Sequence, residues 1–229
     1  MLSVVVPTYN EAGSVPKLAE RLHAALGARD WELVIVDDGS PDGTADIAAA
    51  LAPRIPTNVV RRAGKGGLAS AVIAGFAAAR GDILVVMDAD LSHPPELVPA
   101  LLSAIEDGAD LAVGSRYVAG GGVEDWPMQR QMVSRVACLM GSALVPVRDA
   151  TSGFFALRRS VIDGVTLNPI GFKIGFEVIA RGRYRSVVEV PYTFRDRELG
   201  ASKFGRREIG QYVVQLGQVA RDKVLRRIR

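Results

Sequence analysis

Residues 83–95 read Ile83-Leu84-Val85-Val86-Met87-Asp88-Ala89-Asp90-Leu91-Ser92-His93-Pro94-Pro95, an unbroken apolar run that passes directly into two carboxylates spaced i, i+2. Such a run suits a strand buried on both faces of a parallel sheet. Open α/β sheets bind ligands just beyond the carboxyl ends of their strands, which is where Asp88 and Asp90 fall. In extended backbone, residues two apart share a face, so both carboxylates can aim at one hard cation carrying substrate phosphates. Taken alone, the pair also fits a solvated turn leading into the helix that begins near Pro95.

Upstream the same pattern recurs. Leu2 to Pro7 is a β-branched run, followed by Thr8-Tyr9-Asn10-Glu11 and an amphipathic helix with apolar Val15, Leu18, Leu22 and Leu26, capped by Gly27. The strand Glu32 to Val36 ends in the acidic turn Asp37-Asp38-Gly39-Ser40-Pro41-Asp42-Gly43-Thr44, which leads into a helix over Ala45 to Leu51. After the short strand Val59-Val60, Arg61-Arg62-Ala63-Gly64-Lys65-Gly66-Gly67-Leu68 forms a basic, glycine-rich loop before an alanine-rich helix. No Gly-x-Gly-x-x-Gly follows the first strand, and Gly64-Lys65 lacks the remaining P-loop residues. The alternation of strand and helix through residue 87 predicts an α/β, Rossmann-like, mostly parallel sheet with helices on both faces and right-handed crossovers.

Downstream, Glu96 to Ile105 reads as a helix and Asp110 to Gly114 as a strand, closing in Ser115-Arg116-Tyr117 and a loose loop with Gly120-Gly121-Gly122 that could move. A helix from Met128 to about Val145 carries Arg130, Ser134 and Arg135, and Asp149 to Phe155 leads from loop into strand. Further elements are a helix over Gly171 to Ala180 with Glu177, a last strand over Val187 to Tyr192, and the basic loop Phe194 to Lys203. The final helix sets Ile209, Tyr212, Val213, Leu216, Val219, Ala220 and Val224 on one side and Arg221, Lys223, Arg226, Arg227 and Arg229 at its end.

The 229 residues, 48% hydrophobic and 23% charged, fit one large α/β domain. The formal charge is +3, but the pI of about 9.2 and the basic C-terminal third point to anionic partners such as phosphates or lipid headgroups. Aromatic-interleaved basic patches of the nucleic-acid type are not evident. Cys138 is the lone cysteine and only His23 and His93 offer imidazoles, which argues against disulfides and zinc. With no basic n-region, cleavage site or membrane-length apolar run, the expectation is a cytoplasmic protein.

The ordered set Pro7-Thr8-Tyr9-Asn10-Glu11, Asp37 to Thr44, Lys65-Gly66-Gly67-Leu68, Asp88 to Pro95, Gly114-Ser115-Arg116-Tyr117, Thr151-Ser152-Gly153-Phe154 and Arg197 with Ser202-Lys203 resembles the family 2 glycosyltransferases over nearly the whole chain. The resemblance is greatest to the dolichyl- and polyprenyl-phosphate mannosyltransferases. It implies a GT-A fold and inverting transfer of mannose from GDP-mannose to a dolichyl or polyprenyl phosphate, with Mg2+ or Mn2+ as the divalent cation. Pro7, Tyr9, Glu11, Asp37 and Asp38 match the base and ribose region of the donor pocket, with Lys65 near by. Asp88 and Asp90 match the ribose and metal positions, and Asp90, Arg116 and Arg130 the catalytic ones. Arg116, Arg130 and Ser134 match acceptor-phosphate positions, and Arg197, Ser202 and Lys203 a loop closing near the phosphates. Ser92 stands where many relatives carry a metal-holding glutamine and reaches less far. Arg135, Arg158 and Arg159 are expected as surface charges, and His93 as a helix-entry residue.

Two alternatives remain open at this stage: transfer of glucose or N-acetylglucosamine from a UDP-sugar, or a non-catalytic, membrane-associated nucleotide-binding subunit. The domain reading is a catalytic unit over residues 1–204 and an amphipathic basic helix over residues 205–229. That helix is expected to place the protein peripherally on the membrane surface. Packing of its apolar face on the catalytic unit, or docking of a membrane-anchoring partner subunit, are the competing readings.

Overall fold

The computed structural model describes residues 1–168, 170–195 and 206–228. The chain runs through strand β1 (Leu2–Thr8), helix α1 (Val15–Leu26), β2 (Trp31–Asp37), α2 (Thr44–Ala49), β3 (Thr57–Arg61), α3 (Leu68–Ala78) and β4 (Ile83–Val86). A single 3-10 turn at Pro95–Leu97 then leads into α4 (Val98–Glu106). Next come β5 (Leu111–Ser115), β6 (Gly122–Val123), α5 (Met128–Ser142), β7 (Phe155–Arg158), α6 (Ile174–Arg181), β8 (Val187–Pro191), β9 (Thr193–Phe194) and α7 (Arg206–Ile228).

The main sheet has the order β3-β2-β1-β4-β7-β5-β8. Its parallel pairs are β1 with β2 and β4, β2 with β3, and β5 with β8. β7 is antiparallel to both neighbours. Alternate strand residues feed opposite layers, as a period of two requires. Val4, Val6, Leu33, Ile35 and Val85 pack toward α1 and α4. Val5, Val34, Val36, Leu84 and Val86 pack toward α3, α6 and α7. Helix α3 lies so close that a Cβ on Gly75 would stand 2.3 Å from Val5 Cγ1, which explains glycine inside an otherwise alanine-rich helix.

Three expectations change. The Gly120-Gly121-Gly122 loop is not loose: a Cβ on Gly121 would lie 2.5 Å from the Ser115 carbonyl, and Gly122 pairs with Thr193 in the small parallel sheet β6-β9. Arg158 and Arg159 are not surface charges. Arg158 donates to the carbonyls of Ala109 (3.2 Å) and Ile105 (2.5 Å) near the end of α4. Arg159 donates to those of Phe76, Ala79 and Gly81 at the end of α3, where a cation meets the negative end of the helix dipole. The apolar side of α7 also divides. Tyr212, Leu216 and Val219 enter the core, while Ile209, Val213, Val214, Val224 and Leu225 face outward.

Candidate active site

The motif loops among the described residues open on one edge of the main sheet. β1, β2, β3, β4, β5 and β8 run the same way, so their carboxyl ends coincide, and the reversed β7 brings the preceding loop, Asp149 to Phe154, to that edge. The chain leaves β1 for β2 and β3 on one side and returns as β4 on the other. A crevice therefore opens between the ends of β1 and β4, the place where doubly wound sheets bind ligands.

One half of this edge is acidic and tightly braced. Buried Asp37 accepts the hydroxyls of Thr8 (3.1 Å) and Ser40 (2.5 Å) and the Ser40 N–H (2.9 Å). Asp38 takes a guanidinium N–H of Arg62 at 2.5 Å and the Gly67 N–H at 3.0 Å, which ties the acidic turn to the glycine-rich loop. Lys65 sits with its ammonium 4.2 Å from the Tyr9 ring centroid. The Glu11 N–H donates to the Thr44 hydroxyl (2.9 Å), and the Glu11 carboxylate accepts from Ser14 (3.2 Å). Pro7, partly buried near the end of β1, pairs in register with Val36.

Just beyond β4, Asp90 is buried and accepts both the N–H (3.1 Å) and the hydroxyl (2.6 Å) of Ser92. The hydroxyl thus aims the Asp90 carboxylate. Leu91 between them adopts φ +64°, a left-handed conformation that costs a non-glycine residue energy and concentrates at functional sites. Asp88 keeps its side chain 37% exposed, so it can reach a ligand. Its N–H donates to Nδ1 of His93 at 3.0 Å. His93 is therefore more than a helix-entry residue: it holds the Asp88 backbone from below while stacked on Phe154 at 5.0 Å. Burial lowers its pKa to about 4, which keeps the ring neutral and able to accept. Among the described residues no third His, Cys, Asp or Glu joins these aspartates as a metal cluster. Two carboxylates suit a hard cation that completes its shell with water and substrate phosphate oxygens.

The other half is basic. Arg116, directly after β5, is buried and forked onto Asp149 through two bonds of 2.7 Å, and also donates to the Thr151 hydroxyl at 2.9 Å. Burial opposes the charge of each partner, but their mutual bonds outweigh it. Asp149 stays below the usual carboxylate range and Arg116 stays protonated. The rings of Tyr117 (5.3 Å), Trp126 (5.6 Å) and Phe194 (5.8 Å) surround the guanidinium carbon. Arg130, in the first turn of α5, lies 4.0 Å from the centroid of the same Trp126 ring. Ser134, one turn on, accepts the Tyr117 hydroxyl at 2.7 Å. Arg116, Arg130 and Ser134 are thus brought together around one aromatic group. Arg197, Ser202 and Lys203 lie outside the described residues.

Sequence reasoning missed three participants. Asp149 is the counter-ion that fixes Arg116. Trp126 bridges the two arginines, and its spacing of four from Arg130 was a readable signal. Lys173, a lone cation in the apolar stretch Ile170 to Phe176, donates to the Thr151 carbonyl at 2.9 Å. Burial, with nearby Arg116, lowers its pKa to about 8. Cys138 is no nucleophile: burial pushes its thiol up to about 11.

Comparison with known proteins agrees with this layout. The profile described as "Glycosyl transferase family 2" matches residues 3–166. A dolichol-phosphate mannosyltransferase of Pyrococcus furiosus is 49% identical over 93% of this chain, which spans 61% of that protein's length. A polyprenol monophosphomannose synthase of Mycolicibacterium smegmatis is 41% identical over 94% of this chain and 85% of its own. The fold matches glucosyl-3-phosphoglycerate synthase of Mycobacterium tuberculosis, solved with Mn2+, UDP and glucosyl-3-phosphoglycerate, at a TM-score of 0.66 and 22% identity, covering 96% of this chain and 78% of that one. With the fold, the motif order and the sequence similarity in agreement, the chain belongs to glycosyl transferase family 2.

Proposed function

We propose that this protein transfers mannose from GDP-mannose to a dolichyl or polyprenyl phosphate, with inversion at the anomeric carbon. The observation that carries the reading is the division of one sheet edge into a carboxylate half and a guanidinium half, with His93 close enough to feel both Asp90 and Arg116. Two anionic reactants need such a division. A phosphate monoester, with its second pKa near ~6, is largely dianionic at pH 7 and attacks without a general base. The protein's task is to hold it close to a second phosphorylated group in a productive line.

In this reading Pro7, Tyr9, Glu11, Asp37 and Asp38 hold the base and ribose of the donor, with Lys65 near by, and Arg197 and Lys203 serve its phosphates. Asp88 and Asp90 hold Mg2+ or Mn2+, which supplies charge neutralisation for the departing diphosphate. Arg116, Arg130 and Ser134 receive the acceptor phosphate, guanidinium forks being matched to its oxygens. The test is transfer from radiolabelled GDP-mannose, UDP-glucose and UDP-N-acetylglucosamine to a polyprenyl phosphate. GDP-mannose is expected to be the active donor, and Asp90→Ala or excess chelator is expected to abolish turnover while the fold survives. Full activity of Asp90→Ala would remove the metal assignment.

The same reading places the protein peripherally on the cytoplasmic membrane surface, where a lipid acceptor is found. No helix among the described residues is long and apolar enough to cross a membrane. Support comes from α5, which carries Arg130 and Ser134 and leaves Met128, Met132, Val133, Val136, Leu139 and Met140 exposed at helical spacing. Apolar surface of this extent beside an anion site suits a lipid interface. Neighbouring α7 adds Val213, Val214 and Val224, and a membrane-anchoring partner would find the same surface.

A further inference from the structure

Trp126 is an expensive residue where it stands. It is 8% exposed, and its indole Nε1 is enclosed without a hydrogen-bond partner among the described residues. A buried donor left unmade loses its hydration for nothing, and a phenylalanine would fill much of the same space with no such loss. The residue before it, Asp125, holds φ +57°, so the backbone entering this position is also in a conformation that L side chains rarely adopt. Orphaned donors and strained backbone persist where something other than stability selects them.

The ring's surroundings suggest what that is. Arg130 lies at 4.0 Å and Arg116 at 5.6 Å from its centroid, while Phe194 meets it at 5.1 Å and 69°. The Trp126 carbonyl accepts the Gln131 side-chain amide at 2.9 Å, which fixes the loop to the first turn of α5. Arg116 is already locked to Asp149. Arg130, in the first turn of α5, meets the same indole, so the ring relates one guanidinium to the other. Among aromatic side chains, tryptophan offers the strongest face to a cation.

We propose that Trp126 is the positioning residue of the acceptor-phosphate pocket, retained as tryptophan for its cation-binding face although its N–H is left unpaired. Its indole sets the spacing between the Arg116 and Arg130 guanidinium groups so that one phosphate can be taken by both. The inference rests on the assignment of those arginines to the acceptor, and its test separates the two.

Trp126→Phe is expected to leave the melting temperature unchanged or raise it, because the orphan donor is gone. It should also raise the apparent KM for polyprenyl phosphate roughly three- to tenfold, with GDP affinity by calorimetry unaltered. Trp126→Leu should raise that KM further. In the Trp126→Leu background, Arg130→Ala should cost less than it does in the wild type, since an arginine without its shelf contributes less. Trp31 is the other tryptophan, so in Trp31→Phe the emission comes from Trp126 alone and should shift when a short-chain prenyl phosphate is added. A rise in KM together with a fully folded, equally stable Trp126→Phe supports the proposal. An unchanged KM in both Trp126 variants while Arg130→Ala raises it would overturn the proposal and leave the arginine assignment standing. No effect of Arg130→Ala on acceptor KM would overturn both.

Discussion

Lys173 shows how one side chain can tune the site. Its ammonium donates to the Thr151 carbonyl and lies close enough to Arg116, Asp149, Cys138 and Asp88 for their charges to act on it. Burial lowers its pKa to about 8 from the ordinary lysine value near 10.5, so the cation is lost just above neutrality. If it helps hold the acceptor dianion, apparent acceptor affinity falls as pH rises through about 8, and Lys173→Met removes that alkaline limb. The stability effect has the opposite sense. Between about 8 and 10.5 the unfolded chain binds more protons than the folded one, so stability rises with pH across that window. Lys173→Met should therefore be more stable than the wild type at pH 7, with the gap closing toward pH 10. Thermal melts at several pH values check this, and a constant gap would refute it.

At the scale of elements, α6 holds α7 in place through charge as well as packing. Buried Glu177 accepts the Asn168 N–H (2.9 Å), an Arg181 N–H (2.5 Å) and the Gln215 amide (3.2 Å). Arg181 passes the link on to Asp222 at 2.7 Å. Glu177→Ala would strand a largely buried arginine and an amide, and should destabilise the protein by about 3 kcal/mol. Glu177→Gln should do less harm. Denaturant titration gives the magnitude. Limited trypsin digestion, reading cleavage after Arg221 and Lys223, shows whether α7 loosens first; equal rates in variant and wild type would mean that packing of Tyr212, Leu216 and Val219 suffices.

Across the whole molecule, the apolar face of α5 and the outward residues of α7 lead to a test of membrane contact. Met132→Ser with Leu139→Ser should reduce sedimentation with vesicles while transfer to a detergent-solubilised acceptor is retained. High salt should weaken binding to anionic vesicles, because exposed Arg135 and Arg221 contribute screened attraction. Equal sedimentation of variant and wild type would move the contact elsewhere. The sequence was legible where chemistry follows strand ends: Asp37, Asp38, Asp88, Asp90 and Arg116 each follow an apolar run, and all arrive at one edge. It signalled a strand after Asp149 to Phe155 but not the reversed direction of β7, because the four residues Phe155-Ala156-Leu157-Arg158 carry no pattern that distinguishes antiparallel from parallel pairing. Nor does local pattern reveal that Arg158 and Arg159 cap two helices, or that Asp149 pairs with Arg116, because those partners are far apart in the chain. The exposed face of α5 was present in the sequence as helical spacing, but apolar periodicity alone does not say whether anything covers it.

The reversed strand also orders events in time. β5 touches β7 and β8 but not β4, so Leu111–Ser115 has no strand beside it until Phe155–Arg158 has been made. The four strands of the donor half can assemble by then, because each finds its neighbour by residue 86. On a ribosome the nucleotide side of the crevice can thus exist before the side that carries Arg116, and a chain stopped short of β7 would carry an apolar strand with both edges open to other molecules.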